Sequence, residues 1–125
     1  MCNGSTDGEP AGRLYEIGID VGDLDCAAHF WSSVLGLKVA NRESQYVNFE
    51  RQGDWPRVYL QKVPEKKTAK NRLHIDIAVK DVDAAATWVE ELGGSKLQTV
   101  EERGTRWTVM ADLDGNEFCL VTEEE

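Results

Sequence analysis

The sequence predicts an α+β fold built from two β-α-β-β-β units that follow one another along the chain. The first observation is an internal repeat, because similar residues recur at a spacing of 58. The second is that each copy opens with alternating apolar and polar residues, which predict a strand, and continues with apolar residues spaced by three and four, which predict a helix. A repeat of this length in two copies is unlike a solenoid, which requires three or more shorter repeats. The equivalent pairs are Glu16 and His74, Asp23 and Asp81, Phe30 and Trp88, Gly36 and Gly94, and Gln61 and Cys119.

The first unit begins with a strand whose apolar residues fall at every second position from Tyr15 to Val21. Asp23 is a good N-cap for the helix that follows, and Gly36 supplies the stop at its C-terminus. Three strands are predicted after the helix, at residues 37–40, 46–50 and 58–63. The apolar face of the helix is formed by Ala27, Phe30, Trp31, Val34 and Leu35.

The second unit repeats this order, starting with alternation from Leu73 to Val79. Asp81 is the predicted N-cap of the second helix, and Gly93–Gly94 end it. The segment DLDGNE is predicted to form a hairpin turn, because its glycine is misplaced for a calcium-binding EF-hand loop. The apolar face of the second helix is predicted to contain Ala85, Trp88, Val89 and Leu92, and the later strands to cover residues 97–100, 106–111 and 117–122.

Length and charge restrict the function classes that the chain can serve. One compact domain is expected for 125 residues, and a net charge of −9 argues against sequence-independent binding to nucleic acid or to an anionic membrane. The three cysteines form no C-x-x-C pair, so we expect a reducing, cytoplasmic location. The expected organisation is a disordered tail at residues 1–12 and a domain at 13–123, with unit one at 13–63, a linker at 64–71 and unit two at 72–123.

The linker is basic in an otherwise acidic protein, since it contains Lys66, Lys67 and Lys70. One interpretation is a solvated connector between the two units. The other is a clasp for an anionic ligand at the mouth of a pocket.

Three stretches carry a resemblance to a known superfamily: IGIDVGDLDCAAHFWSSVLGLKV, NRLHIDIAVKDVDAAATWVEELGG and DLDGNEFCLV. Together they resemble the vicinal oxygen chelate superfamily, which includes glyoxalase I, extradiol dioxygenases and bleomycin-resistance proteins. The similarity is greatest to the glyoxalase-like domains common in actinobacteria. The resemblance implies one curved mixed sheet with the helices outside, a concave pocket, and chains that pair as a homodimer.

In this superfamily the metal ligands come from the first and last strands of each unit. The resemblance therefore implies a metal set of Glu16, Gln61, His74 and Cys119, with Zn, Ni, Fe or Mn as the divalent ion. Glyoxalase I has a glutamate where this chain has Cys119, and a thiol is a poor substitute for a carboxylate base. We therefore do not expect glyoxalase I activity. The alternative for Cys119 is a small buried apolar side chain.

Without a metal, the inner face of the sheet still offers polar chemistry. His74, Glu16 and Asp76 are candidate catalytic residues for acid–base work, and they are equally suited to orienting a ligand or to forming a structural network. Trp55 and Trp107 are candidates for pocket walls that stack on a planar ligand, together with Gln61 and Cys119.

Two functions from different classes remain open at this point. The first is an enzyme of lyase, isomerase or dioxygenase type that acts on a small metabolite. The second is a non-catalytic protein that binds an antibiotic-like molecule, as in the bleomycin-resistance branch. The net charge of −9 favours a cationic ligand for such a binder.

Overall fold

A computed structural model describes residues 10–122, and each repeat unit in it contains four strands and one helix. Most of the predicted tail at residues 1–12 lies outside the described residues. Within residues 10–122, no helix is both long enough and apolar enough to cross a membrane. The elements are β1 (Glu16–Val21), α1 (Leu24–Leu35), β2 (Val39–Arg42), β3 (Tyr46–Phe49), β4 (Arg57–Lys62), β5 (Asp76–Val79), α2 (Val82–Glu91), β6 (Ser95–Glu102), β7 (Thr105–Ala111) and β8 (Glu117–Thr122).

Strand order is the same in the two units, which confirms the predicted duplication. The first sheet has the order β1-β4-β3-β2 and the second the order β5-β8-β7-β6. In each sheet the first and last strands of the unit run parallel, and the other neighbours are antiparallel. The predicted fold class is confirmed, with one refinement: the strands form two four-stranded sheets instead of one continuous sheet. Residues of β1 and of the segment that leads into β5 line an open groove.

Both helices begin where the sequence predicts. The Asp23 carboxylate accepts a hydrogen bond from the Cys26 backbone N–H at 2.9 Å, and the Asp81 carboxylate accepts one from Ala84 at 3.0 Å. These side chains satisfy backbone donors that have no partner within the first turn of a helix. Gly36 ends α1 in the left-handed conformation, with φ of 67°. The capping signals in the sequence are thus sufficient to place α1 and the start of α2.

A single apolar core joins the two units. Phe30 and Trp31 of α1 are fully buried, and their rings contact Phe118 of β8 with centroid separations of 6.3 and 5.0 Å. Gly94, after α2, lies against Phe30, so that a Cβ atom there would come within 3.1 Å of the phenyl ring. The first helix therefore packs on its own sheet and on the second unit as well.

Three side chains that belong to the predicted apolar patterns are exposed. Trp88 is 50% exposed, because the buried face of α2 is centred on Val82, Ala86 and Val89 and leaves Trp88 at its border. Leu73 is 85% and Tyr15 54% exposed. Each precedes the first residue of its strand, so the pleat does not turn its side chain toward a helix.

Candidate functional site

Those predicted site residues that lie in strands are on the sheet faces that point away from the helices. In the first unit, Gly18 of β1 is level with Tyr59 of β4. In the second unit, Asp76 of β5 is level with Cys119 of β8, which in turn is level with Val109 of β7. Alternation along each strand therefore places one set of side chains toward the helices and the other set on the open face, as the sequence predicts.

The open face of the second sheet carries a cavity of about 220 Å³, which we call the β8 cavity. It brings together three of the predicted residues: His74, Trp107 and Cys119. Apolar side chains contribute much of the wall, and the linker contributes two polar residues, Lys70 and Asn71. The complete lining is Lys70, Asn71, Leu73, His74, Ile75, Leu97, Gln98, Trp107, Val109, Glu117, Phe118 and Cys119.

A second depression, the β1 groove, runs along the free edge of β1 and has a volume of about 690 Å³. Glu16 and His74 both line it, on opposite units of the chain. Because His74 also lines the β8 cavity, its imidazole borders both depressions. Two of the three predicted catalytic residues are therefore placed along one groove.

The remaining predicted residues lie elsewhere. Gln61 is level with Asp20 on β1, four residues along the strand from Glu16, which corresponds to about 13 Å at the rise of a β-strand. Trp55 lies in the turn before β4 and is 75% exposed. Asp76 is exposed and adjacent to Cys119 on the open face.

Within the described residues, the predicted donors Glu16, His74 and Cys119 are not gathered into one cluster, and Gln61 lies four residues along the strand from the level of Glu16. In the part of the chain from residue 10 to residue 122, no three His, Cys, Asp or Glu side chains are close enough to hold a metal ion. The strand pairing also changes which residues are equivalent: Gly18 is level with Tyr59, whereas Asp76, which lies 58 residues after Gly18, is level with Cys119. Tyr59, and not Gln61, is therefore the structural equivalent of Cys119. The assumed equivalence of Gln61 and Cys119 is wrong, and no chemical step is assigned to a metal.

Cys119 lies in an environment that keeps its thiol protonated. Partial burial raises the pKa of Cys119 above its ordinary value of 9.0, and the nearby carboxylates of Asp76 and Glu117 raise it further. The thiolate is the form of cysteine that attacks electrophiles and ligates metals. At neutral pH the side chain therefore acts as a weakly polar part of the cavity wall.

Glu117 is a site residue that the sequence analysis missed. Its carboxylate accepts a hydrogen bond from the Asn71 backbone N–H at 2.8 Å and forms an ion pair with Lys67 at 3.0 Å. These two contacts lower the pKa of Glu117 below its ordinary value of 4.5. The Asn71 side chain also donates to the Glu117 backbone carbonyl at 3.1 Å.

Part of the linker therefore belongs to the site, and the linker is more than a solvated connector. Lys67 and Asn71 attach it to the start of β8, and Lys70 and Asn71 contribute to the wall of the β8 cavity. Its basic composition was the one signal in the sequence that pointed to this role. The partner, Glu117, could be identified only once the fold had placed β8 beside the linker.

Solved structures with the same fold include fosfomycin resistance proteins and a family enzyme. The FosX protein from Listeria monocytogenes, in complex with Mn(II) and sulfate ion, is 18% identical with a TM-score of 0.77, and the match covers 93% of each chain. FosX from Mesorhizobium loti is 22% identical with a TM-score of 0.70, covering 93% of this chain and 95% of that one. A glyoxalase/bleomycin resistance/dioxygenase family enzyme from Burkholderia phytofirmans PsJN is 16% identical with a TM-score of 0.73, covering 89% and 98%.

At these identities the structural similarities establish the fold alone. The sequence itself matches the family model described as "Glyoxalase-like domain" over residues 16–121, a range that runs from the first residue of β1 to the last strand. With its two β-α-β-β-β units and this match over most of its length, the chain belongs to the glyoxalase-like domain family.

Proposed function

We propose that this protein binds a small organic molecule in the β8 cavity. The observation that carries the proposal is the composition of the wall, which combines apolar side chains, among them Leu97, Trp107 and Val109, with polar ones. Ligand sites in proteins commonly combine a mainly apolar wall with a few polar groups that orient the ligand. A volume of about 220 Å³ suits a metabolite smaller than a typical drug.

The test is a screen of small aromatic and aliphatic molecules by ¹H–¹⁵N NMR. A ligand of the β8 cavity should shift the amide signals of Val109 and Cys119 and the indole N–H signal of Trp107. Replacing Trp107 by Leu should weaken binding about tenfold, because the indole contributes much of the apolar contact. The matched control is Trp55→Leu, since Trp55 is 75% exposed in a turn outside the cavity wall. Ligands that bind equally well to both variants, or that shift only first-unit signals, would refute the proposal.

A second candidate function is catalysis on the bound molecule. The observation that favours it is the position of His74, which lines both the β8 cavity and the β1 groove that contains Glu16. An imidazole with a carboxylate along the same groove is suited to moving a proton to or from a substrate. The reaction classes that fit the resemblance are lyase, isomerase and dioxygenase-type reactions, and we do not propose glyoxalase I activity.

Binding and catalysis can be separated with one substitution. His74→Asn should abolish turnover of any substrate found among keto-aldehydes, diols and epoxides while leaving its binding nearly unchanged. If His74→Asn retains full turnover, His74 has no catalytic role. If no substrate is turned over although ligands bind, the non-catalytic function stands.

We further propose that the protein works in the cytoplasm as a homodimer. The support for pairing is that β1 and β5 each have one hydrogen-bonded neighbour within the described sheets, so that one edge of each strand is free. Free edges offer backbone donors and acceptors to another chain. Light scattering coupled to size-exclusion chromatography tests the stoichiometry, and a monomer mass at all concentrations would contradict it.

A further inference from the structure

We infer that the ligand of the β8 cavity carries an anionic group, such as a carboxylate, and that Lys70 binds this group. The inference rests on the proposed binding function and specifies its ligand class. The net charge of the whole chain, −9, would instead favour a cationic ligand. The argument depends on which charges the cavity wall contains and which of them are already paired.

The cavity wall contains two side chains that carry formal charges at neutral pH, Lys70 and Glu117. The Glu117 carboxylate is already engaged by the Lys67 ammonium at 3.0 Å and by the Asn71 N–H at 2.8 Å. The side chains of Lys67 and Glu117 are only 21% and 20% exposed, so this pair is shielded from bulk solvent more than a typical surface pair. The negative charge of Glu117 is therefore compensated within the protein.

Lys70 has no such partner. Among the ion pairs of residues 10–122, none includes Lys70, and its side chain is exposed at the rim of the cavity. Lys70 nevertheless acts electrostatically on β8, since its charge contributes to the lowered pKa of Glu117 and partly opposes the rise in the pKa of Cys119. The uncompensated charge on the cavity wall is thus a cation at the linker end.

A carboxylate beside the cavity, that of Asp76, defines the orientation of the ligand. Asp76 lies beside Cys119 on the open face of the sheet and is exposed. It repels an anion from that part of the face, while Lys70 attracts one at the linker end. The apolar body of the ligand then lies against Trp107 and Leu97, and its anionic group points toward the linker.

The experiment compares three probes that share a phenyl ring and a three-carbon chain: 3-phenylpropionate, 3-phenylpropionamide and 3-phenylpropylammonium. Each is titrated by ¹H–¹⁵N NMR into the wild-type chain, into Lys70→Gln and into the control Lys66→Gln. The control removes the same charge from the same linker, but Lys66 is not part of the wall of the β8 cavity.

The wild-type chain should bind the carboxylate about threefold more tightly than the amide, and the ammonium more weakly still, as expected for an exposed ion pair. Lys70→Gln should remove this preference and leave the affinity for the amide unchanged, whereas Lys66→Gln should retain the preference. If the carboxylate preference persists in Lys70→Gln, or if the amide binds as tightly as the carboxylate to the wild type, the inference is wrong while the cavity remains a binding site. If none of the probes shifts Val109 or Cys119, both the inference and the proposed site fail for this class of ligand.

Discussion

The Trp31 indole N–H donates a hydrogen bond to the Asp112 carboxylate at 3.1 Å, and this bond links the first helix to the final turn of the second unit. The same carboxylate accepts hydrogen bonds from the backbone N–H groups of Asp114 and Asn116, at 2.9 and 2.8 Å, and from the Asn116 side chain at 2.9 Å. Asp112 is 5% exposed. The DLDGNE segment is therefore a turn, as predicted, and its first carboxylate also helps to hold the two units together.

Replacing Asp112 should destabilise the fold strongly. Asp112→Ala leaves four donors without their acceptor in a buried environment, so we expect a loss of about 3 kcal/mol in the free energy of unfolding. Asp112→Asn should also be destabilising, because every neighbour is a donor and the amide NH₂ can accept none of their hydrogen bonds. Urea denaturation measures both values.

The control for this prediction is Trp31→Phe, which retains an aromatic ring but removes the indole donor. Coupling between Trp31→Phe and Asp112→Asn in a double-mutant cycle would isolate the contact between the units. An Asp112→Asn variant as stable as the wild type would show that the carboxylate network contributes little.

The contribution of Glu117 to stability should depend on pH. The Asn71 hydrogen bond and the Lys67 ion pair place the pKa of Glu117 below its ordinary value of 4.5 in the folded state. A lowered pKa means that the carboxylate stabilises the folded state above the pKa of the unfolded chain and loses this effect as the pH falls through the folded pKa. The stability difference between wild type and Glu117→Gln should therefore be largest near neutral pH and disappear in strong acid.

Denaturation midpoints measured from pH 7 down to pH 2.5 provide the comparison for Glu117→Gln. Glu102→Gln is a suitable control, since Glu102 is exposed on the β6 edge and belongs to none of the ion pairs of the described residues. A Glu117→Gln difference that stays constant over the whole pH range would contradict the linkage.

The substitutions Gly94→Ala and Gly18→Ala should lower the stability of the fold by different amounts. A Cβ atom at Gly94 would lie 2.8 Å from the Ala111 backbone carbonyl and 2.7 Å from Val89, neither of which can move freely. Gly94→Ala should therefore cost about 2 to 3 kcal/mol through overpacking. A Cβ atom at Gly18 would lie 2.4 Å from the end of the Tyr59 ring, which can swing away, so Gly18→Ala should cost less. Thermal melts of the two variants give the order, and a more severe effect at Gly18 would contradict this reasoning.

Cys119 should react slowly with iodoacetamide. Its pKa lies above 9.0, so less than about 1% of the thiol is ionised at pH 7, and the rate should rise as the pH passes 9. A ligand in the β8 cavity should slow the reaction further, because Cys119 lines that cavity. Cys26 is exposed on α1 outside the cavity and serves as an internal control in peptide mass spectrometry. Fast labelling of Cys119 at pH 7, or no protection by a bound ligand, would contradict the assignment.

The parts of the fold that depend on neighbouring residues could be predicted from the sequence. Asp23 and Gly36 delimit α1 through capping chemistry that acts within a few residues of the helix end. The alternation in β1 separates Gly18 on the open face from Ile19 in the core for the same reason. The position of Cys119 on the open face also follows from the alternation in β8.

What the sequence could not provide depends on contacts between distant segments. Phe30 and Trp88 are equivalent in the repeat, yet Phe30 is fully buried and Trp88 is 50% exposed. Phe30 packs on Phe118 of the second unit, whereas the main packing contacts of α2 are with the strands of its own unit. The predicted equivalence of Gln61 and Cys119 is wrong because β6 and β7 are longer than β2 and β3. The last strand of the second unit is therefore shifted relative to the 58-residue repeat. Strand length of this kind is decided by cross-strand pairing and not by local spacing.

The attachment of the linker to β8 makes the two repeat units different from one another. The two units have the same topology. The linker that joins them also covers the end of the second sheet, through contacts of Lys67 and Asn71 with Glu117. That segment supplies a wall that a single unit on its own would not possess. Two halves of the same topology thus differ at this wall, and we expect residues inserted or removed between 64 and 71 to change the lining of the β8 cavity.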